Sequence, residues 1–183
     1  MTEFHSKPDF TISGALTGGG WRRWIVSGGG LGLLKPAPGS WGAIAPATVY
    51  WLLLWAAPVD PWRSLLCLAG AILAGVLTIR LAPWACAYFK DEDPPAVVLD
   101  EFCGYWIACL WLPAPVAATG NIWRSWLMAA GVYLLFRLAD TLKLPPCRKL
   151  ENLPAGWGIL LDDVAAGIQV NLTLQVLLRL VHL

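Results

Sequence analysis

Charge is what this chain has least of: 14% of its 183 residues are Asp, Glu, Lys or Arg, where an ordinary soluble domain carries roughly a quarter. That deficit argues against a soluble globular protein. The formal net charge of +1, with no basic arm or stripe, removes the electrostatic footprint that a nucleic-acid partner requires. Histidine is almost missing too: the two present, His5 and His182, stand at the termini. A histidine nucleophile or a His-ligated zinc is therefore excluded from the interior. The five cysteines (Cys67, Cys86, Cys103, Cys109, Cys147) are odd in number, never spaced as CxxC, and mostly inside apolar runs. They read as reduced packing residues, and none is followed by Arg at Cys-x₅-Arg spacing. Apolar and polar residues nowhere alternate with a period of two, so the elements are helices.

What is abundant is apolar: 57% of residues, with twelve tryptophans against five phenylalanines and four tyrosines, and a mean hydropathy of +0.59. Tryptophan suits the depth at which a ring meets lipid while its N–H stays wet. Against the roughly 20 residues needed to cross a bilayer, the candidate runs are Trp41 to Val59, Ser64 to Phe89, Val97 to Leu112, Ile122 to Lys143 and Gly158 to Leu180. Breakers stand between them at Pro58 and Pro61, Pro94 and Pro95, Pro113, Pro115 and Gly120, and Pro145, Pro146, Pro154 and Gly156. The expected architecture is all-α, a compact multi-pass membrane bundle of four to five spanning helices over residues 37–183. A glycine-rich segment, residues 1–36, lies before it at the cytoplasmic or interfacial side.

Arg22 and Arg23 resemble an export signal, but the apolar stretch behind them is short and glycine-broken. Their charge serves orientation instead. An inside N-terminus puts Lys7, Arg22, Arg23, Lys35, Lys90, Lys143, Arg148 and Lys149 on the cytoplasmic side and leaves Arg63, Arg124 and Arg179 opposite, which satisfies the positive-inside bias. Asn171-Leu172-Thr173 matches a glycosylation acceptor, yet it falls within an apolar helix and is set aside.

That orientation gathers the acids. Asp100 and Glu101 begin the third run, Asp140 ends the fourth, and Asp162 and Asp163 begin the fifth, all at one depth on the cytoplasmic side. Carboxylates inside apolar helices are costly and mark functional sites. Five of them need positive charge beyond Arg137 and Lys143, each three residues from Asp140. Hard oxygen donors without His or Cys select Mg²⁺ or Mn²⁺ over Zn²⁺, and Mg²⁺ is commonly shared with substrate phosphate. Neighbouring helical acids point about 100° apart, so one member of each pair has the alternative of favouring a helix N-terminus. Small residues at Gly104, Ala108, Ala166 and Gly167 allow close helix approach. Ahead of the first run, Gly39, Ser40 and Gly42 offer an anion-binding helix start with Ser40 as cap, or else an ordinary turn. Nearby Lys35 assists a phosphate or anchors to headgroups. Asp91-Glu92-Asp93-Pro94-Pro95 reads as a solvated connector.

These motifs resemble the bacterial phosphatidylglycerophosphatase A family over about 150 residues. Pro38-Gly39-Ser40-Trp41-Gly42 stands for the family's PGTxGS, and Val98-Leu99-Asp100-Glu101-Phe102-Cys103-Gly104 for its VxDExxG. Phe136-Arg137-Leu138-Ala139-Asp140 with Lys143 matches FRxxDxxKPxP, and Gly156 to Gly167 matches GxGIMxDDxxAG. Asp93-Pro94 is similar to its DP. Ser40 replaces a threonine, Ala43 a serine, Leu144 the first proline of KPxP and Leu160 a methionine; every carboxylate and Lys143 stay in place.

The resemblance implies a Mg²⁺-dependent hydrolase of the inner membrane, its site facing the cytoplasm, that converts phosphatidylglycerophosphate to phosphatidylglycerol in phospholipid biosynthesis. No obligatory protein partner is evident beside the lipid bilayer. The expected metal ligands are Asp100, Glu101, Asp162 and Asp163, direct or through water. Gly39, Ser40, Gly42, Arg137 and Lys143 are expected at the phosphate, with Asp140 a further ligand or the base. A phosphorylated Asp100 or Asp162 is the covalent alternative. The rival function, a small transporter or proton-conducting protein, predicts acids spread through the membrane depth.

Overall fold

A computed structural model of the chain describes residues 19–56, 60–113, 121–143, 145, 147–150, 153 and 156–181. His5, Lys7, His182, Pro58, Pro115, Gly120, Leu144, Pro146 and Pro154 lie outside the described residues, as do the side chains of Arg148 and Lys149. Of the glycine-rich segment, 19–36 is described.

Every element among the described residues is a helix: α1 (Gly19–Val26), a 3₁₀ turn at Leu31–Leu33, α2 (Pro38–Ala56), α3 (Trp62–Phe89), α4 (Leu99–Ala108), α5 (Ile122–Leu142), α6 (Cys147–Leu150) and α7 (Gly156–Val181). Local chemistry sets several ends. Pro38 opens α2, where the N–H it lacks would have had no partner. Asn121 caps α5, its Oδ1 accepting from the N–H groups of Trp123 and Arg124 at 3.2 and 3.1 Å. Lys90 and Lys143 close α3 and α5 in the left-handed region, each donating its N–H back to Cys86 and Ala139.

Among the described residues two helices, α3 and α7, are long and apolar enough to cross a membrane by length and composition. Only 33% and 44% of their apolar windows are buried inside the protein, so most of that surface faces outward. Leu65, Leu66, Ile72, Leu73 and Val76 on α3 and Leu172, Val176, Leu177 and Leu180 on α7 are exposed. Apolar area on that scale needs lipid or a partner rather than water.

The third apolar run is only partly helical. Its helix, α4, has ten residues, about 15 Å of rise against about 30 Å of hydrocarbon, so it crosses no bilayer as a helix. Its C-terminal carbonyls end inside the protein and are met by α7. Asn171 Nδ2 donates to Ala108 O and Leu110 O at 3.1 and 2.7 Å, and Gln175 Nε2 donates to Trp111 O at 2.9 Å. Those bonds satisfy groups that would otherwise be costly away from water, and they explain why Asn171 occupies an apolar helix.

α4 touches α2, α3, α5 and α7, and its buried Tyr105 packs edge-on against Tyr50 and Phe136. At the far end from the α4 N-terminus, buried Arg63 pairs with Asp60 and donates to Leu112 O. Arg63 is therefore an internal cation rather than a solvent-facing topology marker. The N-termini of α2, α4 and α7 and the C-termini of α3 and α5 share the opposite end, where the acids gather.

Candidate active site

Each acid reaches the cleft because a neighbouring backbone permits it. A Cβ added at Gly104 would lie 2.5 Å from Asp163 O, and one at Gly167 would collide with Gly104 O. α4 and α7 thus touch backbone to backbone one to two turns from their acidic pairs. At Gly39, in the first turn of α2, the space a Cβ would take is filled by Glu101 Oε1, with Arg137 Nη2 at 3.1 Å. Glycine at 104 and 167 is thus a geometric requirement of the cleft, and a methyl at 39 would push the Glu101 carboxylate aside.

The cleft, about 310 Å³, is lined by Asp100, Glu101, Arg137, Asp140, Lys143, Asp162 and Asp163. Ala37, Pro38 and Gly39 from α2 and Asp93, Pro94 and Pro95 from the α3–α4 connector complete the wall with Val97 and Ile159. All five expected carboxylates and both expected cations meet in one place. Asp93 joins them, so the connector contributes to the cleft rather than serving only as a solvated link. Gly39 lines the wall, whereas Ser40 and Gly42 do not. α2 starts at Pro38, which puts Ser40 inside its first turn rather than at the cap; Ser40 O accepts from Tyr133 Oη at 3.1 Å. Gly42 makes room for Val98, since a Cβ there would lie 2.5 Å from that side chain. Lys35 lies outside the wall.

The cations divide the acids into two sets. Arg137 Nη1 is held between Glu101 Oε2 at 2.7 Å and Asp140 Oδ2 at 2.9 Å, a bracket that fixes its guanidinium. Lys143 Nζ lies 3.2 Å from Asp162 Oδ2. Asp100 and Asp163, 8% and 4% exposed, each keep a buried Oδ1 without a hydrogen-bond partner. Buried oxygens of that kind are costly unless a donor or cation reaches them.

Six carboxylates against two cations repel an incoming phosphate unless further positive charge accompanies it. A divalent cation would supply it, and the donor set suits one: hard oxygens, two of them orphaned, with no competing soft ligand on the wall. Among the described residues no three Asp, Glu, His or Cys side chains close into a ready ligand cluster. The two orphaned oxygens would fit an ion such as Mg²⁺, which takes one or two carboxylates and completes its shell with water and substrate phosphate. The free N–H groups at the start of α2 favour anions at the same wall.

An acidic cleft with two held cations beside a helix N-terminus has the chemistry to handle phosphate together with a cation. The chain matches the family model for phosphatidylglycerophosphatase A over residues 24–178 and belongs to that family. It is 34% identical over 149 residues to phosphatidylglycerophosphatase A of Haemophilus influenzae, covering 79% of this chain and 80% of that one. Against phosphatidylglycerophosphatase A of Escherichia coli the identity is 31% over 150 residues, covering 79% and 76%. It is also 35% identical over 147 residues to a Bacteroides thetaiotaomicron protein named "Putative phosphatidylinositol-3-phosphatase", covering 79% and 85%. No solved structure matches it. The protein is accordingly a phosphatase, a hydrolase of phosphate esters.

Proposed function

We propose that the protein hydrolyses the terminal phosphate of phosphatidylglycerophosphate to give phosphatidylglycerol, with Mg²⁺, at the cytoplasmic face of a bacterial inner membrane. The observation that carries the reading is the pair of orphaned oxygens, Asp100 Oδ1 and Asp163 Oδ1, buried beside two fixed cations in a cleft at the lipid-exposed bundle's end. The chain makes five passes, the third by α4 and the residues after it. Trp111 N–H donating to Ser64 Oγ and Arg63 reaching Leu112 O support a return to the far end there. Lys35, Lys90 and Lys143 then lie on the cytoplasmic side.

Asp100 and Asp163, with Glu101 and Asp162 beside them, would hold the ion, while Glu101 and Asp162 also engage Arg137 and Lys143. The ion, when bound, neutralises phosphate charge and polarises the phosphorus. Arg137 and Lys143 meet the charge that develops on the phosphoryl oxygens. Gly39 makes room for the Glu101 carboxylate that holds Arg137 in place beside the phosphate. Asp140, held 2.9 Å from Arg137 Nη1, orients the attacking water and takes its proton. The phosphorus–glycerol oxygen bond breaks, and the leaving oxygen receives a proton from solvent.

The test is phosphate release by purified, detergent-solubilised protein from phosphatidylglycerophosphate and from phosphatidylinositol 3-phosphate. Faster turnover of the first supports the proposal; preference for the second transfers the function to that suggested by the Bacteroides relative's name. A proton- or ion-conducting protein releases no phosphate from either. Gly39→Ala is expected to reduce kcat/KM about a hundredfold by displacing Glu101 and Arg137, since a shift of about 1 Å at a reacting centre has that effect. Its Tm stays within a few degrees of the unmodified protein's, because the cleft rather than the core is disturbed.

A further inference from the structure

A second cavity, about 320 Å³, lies between α2 and α5. Ile44, Ala47 and Trp51 form one wall and Trp126, Ala130 and Tyr133 the other. It is apolar, and its mouth is on the outside of the bundle, where Ile44 and Trp126 are 39% and 49% exposed. Trp51 is fixed there, its Nε1 donating to Ile122 O at 3.0 Å.

The groove leads to the acidic cleft. On α5, Trp126, Ala130, Tyr133, Arg137 and Asp140 follow one another at intervals of four and three, which is a single helix face. The first three line the groove and the last two the cleft. On α2, Trp51, Ala47 and Ile44 step back at the same intervals to Ser40, the neighbour of Gly39 on the cleft wall. Tyr133 Oη, bonded to Ser40 O, stands at the junction. From Trp126 to Arg137 the rise is about 16 Å, close to the roughly 15 Å depth of one leaflet's hydrocarbon.

We propose that this groove binds one acyl chain of the lipid whose headgroup phosphate occupies the cleft, and so selects long-chain over short-chain substrates; the inference rests on the proposed function. Its continuity with the cleft and with the exposed apolar faces of Leu127, Leu134 and Leu138 on α5 favours a lipid chain over a protein segment. The small side chains at 47 and 130 leave the floor open, and the two indoles confine the chain laterally.

The test compares dipalmitoyl and dibutyryl phosphatidylglycerophosphate as substrates in detergent for the wild type, Ala130→Phe and Ile44→Trp. Filling the groove is expected to raise KM for the long-chain lipid about tenfold, the loss of roughly two buried methylene groups. Turnover number and the short-chain KM stay within about twofold, an outcome that also requires the variant to be folded. Equal losses on both substrates, or no change on either, overturn the groove assignment while leaving the phosphatase reading intact. If the wild type releases phosphate from neither lipid, the proposed function fails and the groove assignment fails with it.

Discussion

Asp100→Asn is expected to lower kcat about a thousandfold, the size of effect seen when a charged group aimed at the reacting centre is lost. Asp100 is 8% exposed and its Oδ1 has no hydrogen-bond partner, so its charge serves something the chain does not itself supply. A residue that held the fold together would show the reverse pattern. In metal-free protein, removing one of several crowded carboxylates relieves repulsion, so Tm holds or rises. Phosphate-release kinetics and a melting curve on the same preparation check both halves. Lost activity with a lowered metal-free Tm would assign Asp100 to packing instead.

Gly167→Ala damages the site from a distance. Its added methyl meets the Gly104 carbonyl, and backbone cannot yield as a flexible side chain does. α7 must move away from α4, carrying Asp162 and Asp163 away from Asp100 and Glu101. Overpacking of this kind costs about 1–3 kcal/mol, and a shift of about 1 Å between reacting groups costs about a hundredfold in rate. Gly131→Ala is the matched control: nothing lies within 4 Å of the added methyl, and helix propensity predicts equal or greater stability. Activity and Tm of the two variants, measured side by side, should separate clearly; equal behaviour would mean that α4 and α7 tolerate separation.

Much of this site was legible because acids are rare in the chain. With few carboxylates inside apolar runs, Asp100, Glu101, Asp140, Asp162 and Asp163 stood out, and assigning an orientation brought them together. The glycines at 104 and 167 were legible as small residues, though which backbone each would touch depends on the packing of helices more than 50 residues apart.

Other features escaped for physical reasons. The apolar run from Val97 continues to Leu112 although its helix stops at Ala108, because the polar groups that end it, Asn171 and Gln175, come from α7. Arg63 read as an external charge, yet Asp60 and Leu112 O make its burial tolerable. Asp93 read as part of a solvated connector, and only the fold of that connector over α4 brings it to the cleft. Ser40 read as a helix cap, but Pro38 starts the helix two residues sooner.

The central claim is that the acidic cleft is a metal-assisted phosphatase site built around Asp100 and Asp163. It is tested most directly by titrating Mg²⁺ into chelator-treated protein while following phosphate release from phosphatidylglycerophosphate, for the wild type and for Asp163→Asn. The account predicts negligible release without Mg²⁺, saturable recovery in the wild type, and a variant that needs at least about tenfold more Mg²⁺ for a much smaller plateau. Full activity of the chelated wild type, or an Asp163→Asn curve that overlays it, would contradict the account.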